Sequence, residues 1–185
     1  MGEQHKKHNR REHLNDFHLN IAGEYVYDGA LYACQSDDAK QRRSKRAVWG
    51  MAAILTVAVA AGGCIPAPGM QNCFYVLLPY LGEFLGAASV IWALAKLGMD
   101  WGTVREYNYK KSVAVLPVRT AVTAVFSLLG VVCELIFLFV NDHAGQTFFA
   151  LLYVLLKLIA LLSVLVLRAE IMQAEWDKLP KKNNF

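Results

Sequence analysis

The chain has 185 residues, of which 56% are hydrophobic and 18% are charged, and it carries a formal net charge of +4 at pH 7. Its hydrophobic share is higher than that of an ordinary soluble domain, and the apolar residues form continuous runs instead of recurring at helical spacing. This pattern argues against a soluble helical bundle and indicates a small multi-span membrane protein. Because no nucleic-acid-binding motif accompanies the basic residues, we expect no nucleic acid partner.

Residues 1–46 form a polar and basic segment, which we interpret as a cytoplasmic arm. The segment contains no apolar core of the length that a signal peptide requires, so we expect the first span to act as an uncleaved targeting signal. Its four histidines are spaced so that at most two share a helical face, and no metal site is therefore expected.

Within this arm, residues 24–34 carry a local β-hairpin signal. Two short β-prone runs flank Asp28 and Gly29, and Asp-Gly favours the type I′ turn because that turn needs positive φ at both central residues. We therefore predict a hairpin over residues 24–34, with a disordered tether as the alternative. Since an isolated hairpin is only marginally stable in water, it should pack against other cytoplasmic segments or against a partner.

Four apolar runs follow, and each has about the length of roughly 20 residues that a helix needs to cross a bilayer. They cover residues 47–65, 74–95, 120–140 and 148–167. We therefore predict an all-α fold, a four-helix transmembrane bundle over residues 47–168. A cytoplasmic tail at residues 169–185 completes the predicted organisation.

The basic residues lie on one side of this predicted bundle. Eighteen of the 19 Lys and Arg residues lie before the first span, in the loop at 96–119, or from residue 168 onward, and Lys157 is the exception. The two other connections, at 64–73 and 141–147, contain no Lys or Arg. The positive-inside rule then places both termini in the cytoplasm, and we predict a multi-pass protein of the plasma membrane.

The loop between the second and third spans predicts a short interfacial helix. Trp101 and Tyr107 lie among basic residues, as in segments that rest on a membrane surface. Thr103 and Glu106 have the spacing of a capping box, which would satisfy free N–H groups at the start of this helix. After the fourth span, we expect the last helix to continue until Pro180.

Cys64 and Cys73 bracket the first outer connection, on the side of the membrane where oxidation is permitted. A disulfide between them and two free thiols are equally compatible with the sequence. The chain contains no Cys-x-x-Cys pair, which argues against a thiol–disulfide enzyme.

Three ionisable residues lie inside the apolar runs: Glu83 in the second span, Glu134 in the third and Lys157 in the fourth. At 1.5 Å per residue, all three lie roughly 10–14 Å from the outer ends of their helices, so they can meet inside the bundle. A charge inside a bilayer is costly unless it is paired, and Lys157 can neutralise only one carboxylate. The other should hydrogen-bond as an acid to Ser127 or Tyr153, or hold an exchangeable proton or a cation.

Glycines and a proline mark the places where the helices are expected to pack. In the second span, Gly82 and Gly86 form a Gly-x-x-x-Gly motif just beyond Pro79, which predicts a kink and a close helix contact. In the third span, Gly130 belongs to a stripe of small and polar residues on one helical face. This stripe predicts the side of that span that faces the other helices.

The sequence contains no nucleotide-binding loop, metal cluster or hydrolytic triad, so we expect no catalytic residues, no cofactor and no metal, and an enzyme is disfavoured. The long aromatic and basic segments on the cytoplasmic side favour an accessory, binding or scaffold subunit of a membrane complex. The alternative is a small proton- or cation-coupled transporter that uses the intramembrane Glu and Lys residues. The expected partners are the lipid bilayer and either another membrane protein or a second copy of this chain.

Overall fold

The computed structural model describes residues 17–19, 23, 25–27, 29–98, 101–140 and 147–179. Within this part of the chain, four helices are long and apolar enough to cross a membrane, which confirms the predicted number of spans. Two small β-sheets accompany the helices. The protein is therefore mostly helical and not entirely so.

Six helices occur in the described residues, four long and two short. In chain order they are α1 (Asp38–Cys64), α2 (Pro68–Asn72), α3 (Phe74–Leu97), α4 (Glu106–Lys111), α5 (Leu116–Val140) and α6 (Thr147–Gln173). The helix α1 begins well before residue 47, and α6 continues past residue 167. Both extensions are rich in Lys, Arg, Gln and Glu, which are good helix formers and can keep their charged ends in water.

The long helices pack side by side through small residues. The helix α6 packs along both α1 and α5, and α3 packs along α5. Where α3 meets α5, a Cβ atom added to Gly86 would lie 3.3 Å from the Cα atom of Thr123, so the close approach of these backbones depends on a glycine. The middle of the bundle is filled by Leu55, Ala58, Val59, Ala87, Ala160 and Val164.

One end of the bundle carries a three-stranded antiparallel sheet. Its central strand is β3 (Leu31–Cys34), which pairs on one side with β4 (Thr103–Arg105) and on the other with β5 (Trp176–Lys178). The three strands come from the segments before α1, between α3 and α5, and after α6. We call this end of the bundle the sheet end, and we call the opposite end, which carries α2, the loop end.

The predicted hairpin over residues 24–34 is wrong. Its first run forms β2 (Tyr25–Tyr27), which pairs with β1 (Phe17–Leu19), whereas its second run is β3 and belongs to the other sheet. A type I′ turn needs positive φ at both central residues, and Gly29 does not adopt it, because the described glycines with positive φ are Gly23 and Gly98. In its observed position β3 forms two ladders, whereas a hairpin would supply only one.

In the loop between the second and third spans, where a short interfacial helix is predicted, the structure has the strand β4 followed by the six-residue helix α4. Thr103 lies in the strand and cannot cap a helix, and Arg105, at the N-cap position of α4, makes no side-chain capping bond. The last helix also ends at Gln173 instead of continuing to Pro180, because the chain beyond it forms β5. In both places the free edges of β3 favour strand pairing over a longer helix.

Aromatic contacts join the sheet to the bundle. The rings of Tyr32 and Tyr109 stack with their centroids 4.1 Å apart, and the ring centroids of Trp101 and Trp176 lie 6.2 Å apart. Trp101 also belongs to an apolar cluster with residues of α1, α3, α5 and α6. The sheet end is therefore a packed extension of the bundle core.

Candidate functional site

The centre of the bundle contains an ion pair between two long helices. Glu83 of α3 and Lys157 of α6 form a salt bridge through Glu83 Oε2 and Lys157 Nζ. The two residues are 0% and 2% exposed, so neither charge is shared with solvent at the surface of the bundle. Because a buried charge without a partner is strongly unfavourable, this pair ties α3 and α6 together.

Two tyrosine rings complete the surroundings of the ammonium group. The Nζ atom of Lys157 lies 4.5 Å from the ring centroid of Tyr80 and 5.1 Å from that of Tyr153, within the range of a cation–π interaction. The Tyr80 hydroxyl donates a hydrogen bond to the carbonyl oxygen of Val59 on α1, at 3.4 Å. Tyr80 was not predicted from the sequence, although its position three residues before Glu83 places it on the same face of α3.

The helix α5 contributes small residues next to Lys157. The Ser127 hydroxyl donates a hydrogen bond to the carbonyl oxygen of Lys157, at 3.3 Å. A Cβ atom added to Gly130 would lie 3.6 Å from the Cδ atom of Lys157, so the glycine leaves room for the aliphatic stem of the lysine. The helix α5 thus packs against the Lys157 side chain and bonds its backbone.

The third ionisable residue, Glu134, forms no salt bridge with Lys157 among the described residues, although the charges of the two side chains influence each other. It is one turn beyond Gly130 towards the loop end, it is 0% exposed, and neither carboxylate oxygen has a hydrogen-bond partner among the described residues. Its Oε2 atom lies against Gly69 of the short helix α2, where an added Cβ atom would collide with it. Gly69 was not identified from the sequence, because nothing in a ten-residue connection indicates which buried group it covers.

The expected hydrogen bond from the second carboxyl group to Ser127 or Tyr153 is not formed. Ser127 bonds the Lys157 backbone instead, and the Tyr153 hydroxyl has no hydrogen-bond partner in the part of the chain that the structure describes. For Ser127 the reason is its position along α5, since Glu134 lies two turns closer to the loop end.

The predicted packing residues of α3 lie at its contact with α5. The helix is continuous through the buried Pro79, whose missing N–H leaves the carbonyl group of Tyr75 without its usual donor. A Cβ atom added to Gly82 would collide with the ring of Phe126, and Gly86 faces the α5 backbone. Both glycines of the motif therefore provide space for residues of α5.

Cys64 and Cys73 are free thiols in this structure, so the disulfide is not formed. Cys64 is exposed at the end of α1, whereas Cys73 packs against an apolar cluster that includes Phe137 and Tyr153.

Comparison of the chain with protein-family models, curated proteins and solved structures finds no match. Within the described ranges, no group of three or more His, Cys, Asp or Glu residues could hold a metal ion. The polar centre thus consists of the Glu83–Lys157 ion pair and the buried Glu134 carboxyl group, whose oxygens have no hydrogen-bond partner among the described residues.

Proposed function

We propose that this chain is a multi-pass protein of the plasma membrane that acts as an accessory or scaffold subunit of a membrane complex. In this proposal the sheet end binds another membrane protein or a second copy of the chain. The supporting observation is that three segments far apart in sequence fold together into one sheet at that end. If the helices only had to cross a membrane, the segments outside them would not need to fold into a shared sheet.

The surface of the sheet end has features that suit docking. Tyr25 is 74% exposed and Tyr107 is 40% exposed, and aromatic side chains are enriched where proteins contact one another. The strands β4 and β5 form the two edges of the sheet, and each is only three residues long. Short edges discourage unselective strand pairing, so the side chains would determine the choice of partner.

The proposal places both termini, and with them the sheet end, in the cytoplasm. Its support is the distribution of charge, because every Lys and Arg of the described residues except Lys157 lies before Ala47, between α3 and α5 or at their adjoining ends, or from Arg168 onward, towards the sheet end. Positive charge on the connecting segments favours retention on the cytoplasmic side.

The experiment is co-purification of the full chain in a mild uncharged detergent, followed by mass spectrometry. The proposal predicts a stoichiometric partner or a homo-oligomer that is lost in the double variant Tyr25→Ala, Tyr107→Ala. The matched control is the double variant Phe139→Ala, Phe148→Ala, which removes two side chains that are 89% and 70% exposed at the loop end. A wild-type protein that purifies as an unaccompanied monomer would contradict the proposal, as would equal loss of the partner in both double variants.

A second candidate, a small proton- or cation-coupled transporter, is favoured by one specific observation. The Glu134 carboxyl group is fully buried, and its oxygens have no hydrogen-bond partner among the described residues. Ionisable residues inside membrane helices commonly mark ion or proton pathways. The Glu83–Lys157 pair would then stay paired and carry no net charge, while the neighbouring Glu134 carboxyl group exchanges a proton.

The transporter candidate is tested in proteoliposomes that contain a trapped pH-sensitive dye and an imposed sodium or potassium gradient. It predicts proton movement that is driven by the cation gradient and abolished by Glu134→Gln. The control is Ser163→Ala, which removes a buried hydroxyl that, among the described residues, donates a hydrogen bond to the Ile159 carbonyl oxygen of its own helix. Proton movement equal to that of protein-free liposomes, or unchanged in Glu134→Gln, would exclude exchange of sodium or potassium for protons through Glu134.

A further inference from the structure

A cavity of about 270 Å³ opens at the sheet end, where the start of α1 meets the end of α6. Its remaining walls come from the end of β3 and from Trp101. This volume is close to the lower limit of about 300 Å³ that is usual for small-molecule sites. The cavity therefore suits a compact ligand such as a single ionic group with a small substituent.

Two hydrogen bonds hold the walls of this cavity in place. The backbone N–H of Gln35 donates to the carbonyl oxygen of Glu175 at 3.1 Å, which joins the segment after β3 to the segment after α6. The Ser44 hydroxyl donates to Glu170 Oε2 at 2.8 Å, which joins α1 to α6. The cavity is thus built between elements that are bonded to one another.

The cavity is lined mainly by hydrogen-bond donors. Lys40 and Arg43 contribute cationic groups from α1, and Gln41 and Gln173 contribute amide groups. Trp101 is 4% exposed, and its indole N–H has no hydrogen-bond partner in the described part of the chain. A buried donor without an acceptor is unfavourable, and this one belongs to a residue that lines the cavity.

The charge of the lining is positive. Lys40 and Arg43 outnumber Glu170, the acidic residue that lines the cavity. One oxygen of Glu170 already accepts the bond from Ser44, which offsets part of its repulsion of an anion. An arginine can bind two oxygens of a phosphate at once, and a lysine adds a mobile positive charge.

We infer that this cavity binds an anionic phosphate group, with Lys40, Arg43 and the indole N–H of Trp101 as its donors. The phosphate can belong to the headgroup of an anionic lipid or to a soluble molecule. The lipid source fits the position of the cavity, which lies where the apolar helices α1 and α6 end in polar residues. The inference does not depend on the proposed accessory role, because the cavity residues differ from the exposed tyrosines of the docking surface.

The test uses the full chain, purified in an uncharged detergent. In the first arm, the protein is placed in nanodiscs of phosphatidylcholine with a minor share of phosphatidylglycerol, and native mass spectrometry counts the phosphatidylglycerol molecules retained. In the second arm, inorganic phosphate is titrated calorimetrically into protein in phosphatidylcholine nanodiscs. Retained lipid in the first arm alone identifies a headgroup, and heat in the second arm identifies a soluble phosphate.

The inference predicts opposite effects of two variants on the binding affinity, measured in whichever arm shows binding. Lys40→Gln with Arg43→Gln should weaken binding about tenfold or more, because a single charge-assisted hydrogen bond can change a dissociation constant by that factor. Glu170→Gln should strengthen binding, since it removes the negative charge and keeps an acceptor for Ser44. The matched control is Arg42→Gln with Arg46→Gln, which removes the same charge from α1 outside the cavity lining.

Binding that follows this pattern supports the inference. Equal weakening of binding in the cavity double variant (Lys40→Gln, Arg43→Gln) and in the control double variant (Arg42→Gln, Arg46→Gln) would overturn the inference. The effect would then be unselective attraction of the ligand to a positively charged surface. Absence of binding in both arms would also overturn it. The substituted side chains of α1 are exposed at Lys40, Arg43, Arg42 and Arg46, so loss of folding should not obscure the comparison.

Discussion

The buried pair of Glu83 and Lys157 makes a quantitative prediction about stability. We consider replacement of each residue, singly and together, by Met, which has a similar length and no charge. Glu83 is 0% exposed and Lys157 is 2% exposed, so each single replacement leaves the other charge buried without a partner. Removal of one partner of a buried pair typically costs about 3–5 kcal/mol of unfolding free energy.

The double replacement should behave differently from the two single ones. A buried ion pair can often be exchanged for apolar residues of similar volume with no loss of stability or with a gain of about 1–4 kcal/mol. We therefore expect the Glu83→Met, Lys157→Met protein to be at least as stable as the wild type. Independent residues would instead give a double variant with about twice the loss of a single one.

The assay is unfolding by sodium dodecyl sulfate in mixed micelles, followed by tryptophan fluorescence. Ser163→Ala is the control for loss of a buried polar group outside the pair, and we expect it to cost about 1 kcal/mol or less. If a single variant does not accumulate in the membrane, recovery of expression in the double variant gives the same information. Additive losses in the double variant would refute the reasoning, since Glu83 and Lys157 would then not stabilise each other.

Two further predictions concern helix packing and the sheet. Gly86→Ala should destabilise the protein by about 1–3 kcal/mol, because its Cβ atom would press on the α5 backbone. The control Gly50→Ala, which has open space around it, should be neutral or stabilising by up to about 1 kcal/mol. Detergent unfolding compares the two variants, and equal effects would contradict the close approach of α3 and α5. Tyr32→Ala should remove the stacking on Tyr109, which is worth about 0.5–1.5 kcal/mol beyond area burial, and should therefore speed backbone hydrogen exchange in β3. Replacement of the exposed Tyr25 by Ala should leave that exchange unchanged. Unchanged exchange in the Tyr32 variant would show that the aromatic contact does not stabilise the sheet.

The four spans were predictable because they depend on a local property. A run of about 20 apolar residues must span a bilayer or be buried, and this can be read without knowledge of the rest of the chain. The helix ends were less predictable. The residues before position 47 are charged, and the sequence does not show whether a good helix former stays helical in water or connects to another element.

The sheet could not be predicted, for a physical reason. Its strands β3, β4 and β5 are three or four residues long and come from three segments far apart in sequence. Strand pairing depends on partners that no local pattern identifies. The Asp-Gly signal at residues 28 and 29 was real as a propensity, but tertiary pairing of β3 outweighed it.

The polar centre was predictable in part. Depth along each helix placed Glu83, Glu134 and Lys157 at similar levels, and the structure brings Glu83 and Lys157 into contact. Depth alone does not give rotation around the helix axis or small differences in level. Glu134 lies closer to the loop end and packs against Gly69, a contact that requires the path of the connection between α1 and α3.

Four membrane crossings would place the sheet end and the loop end on opposite sides of a membrane. The most direct measurement is labelling by a membrane-impermeant maleimide in intact cells, with all four native cysteines replaced by alanine. Gln71→Cys at the loop end should react in intact cells, and Lys178→Cys in β5 should react only after the cells are permeabilised. Reaction of both positions without permeabilisation, or of Lys178→Cys alone, would contradict the account.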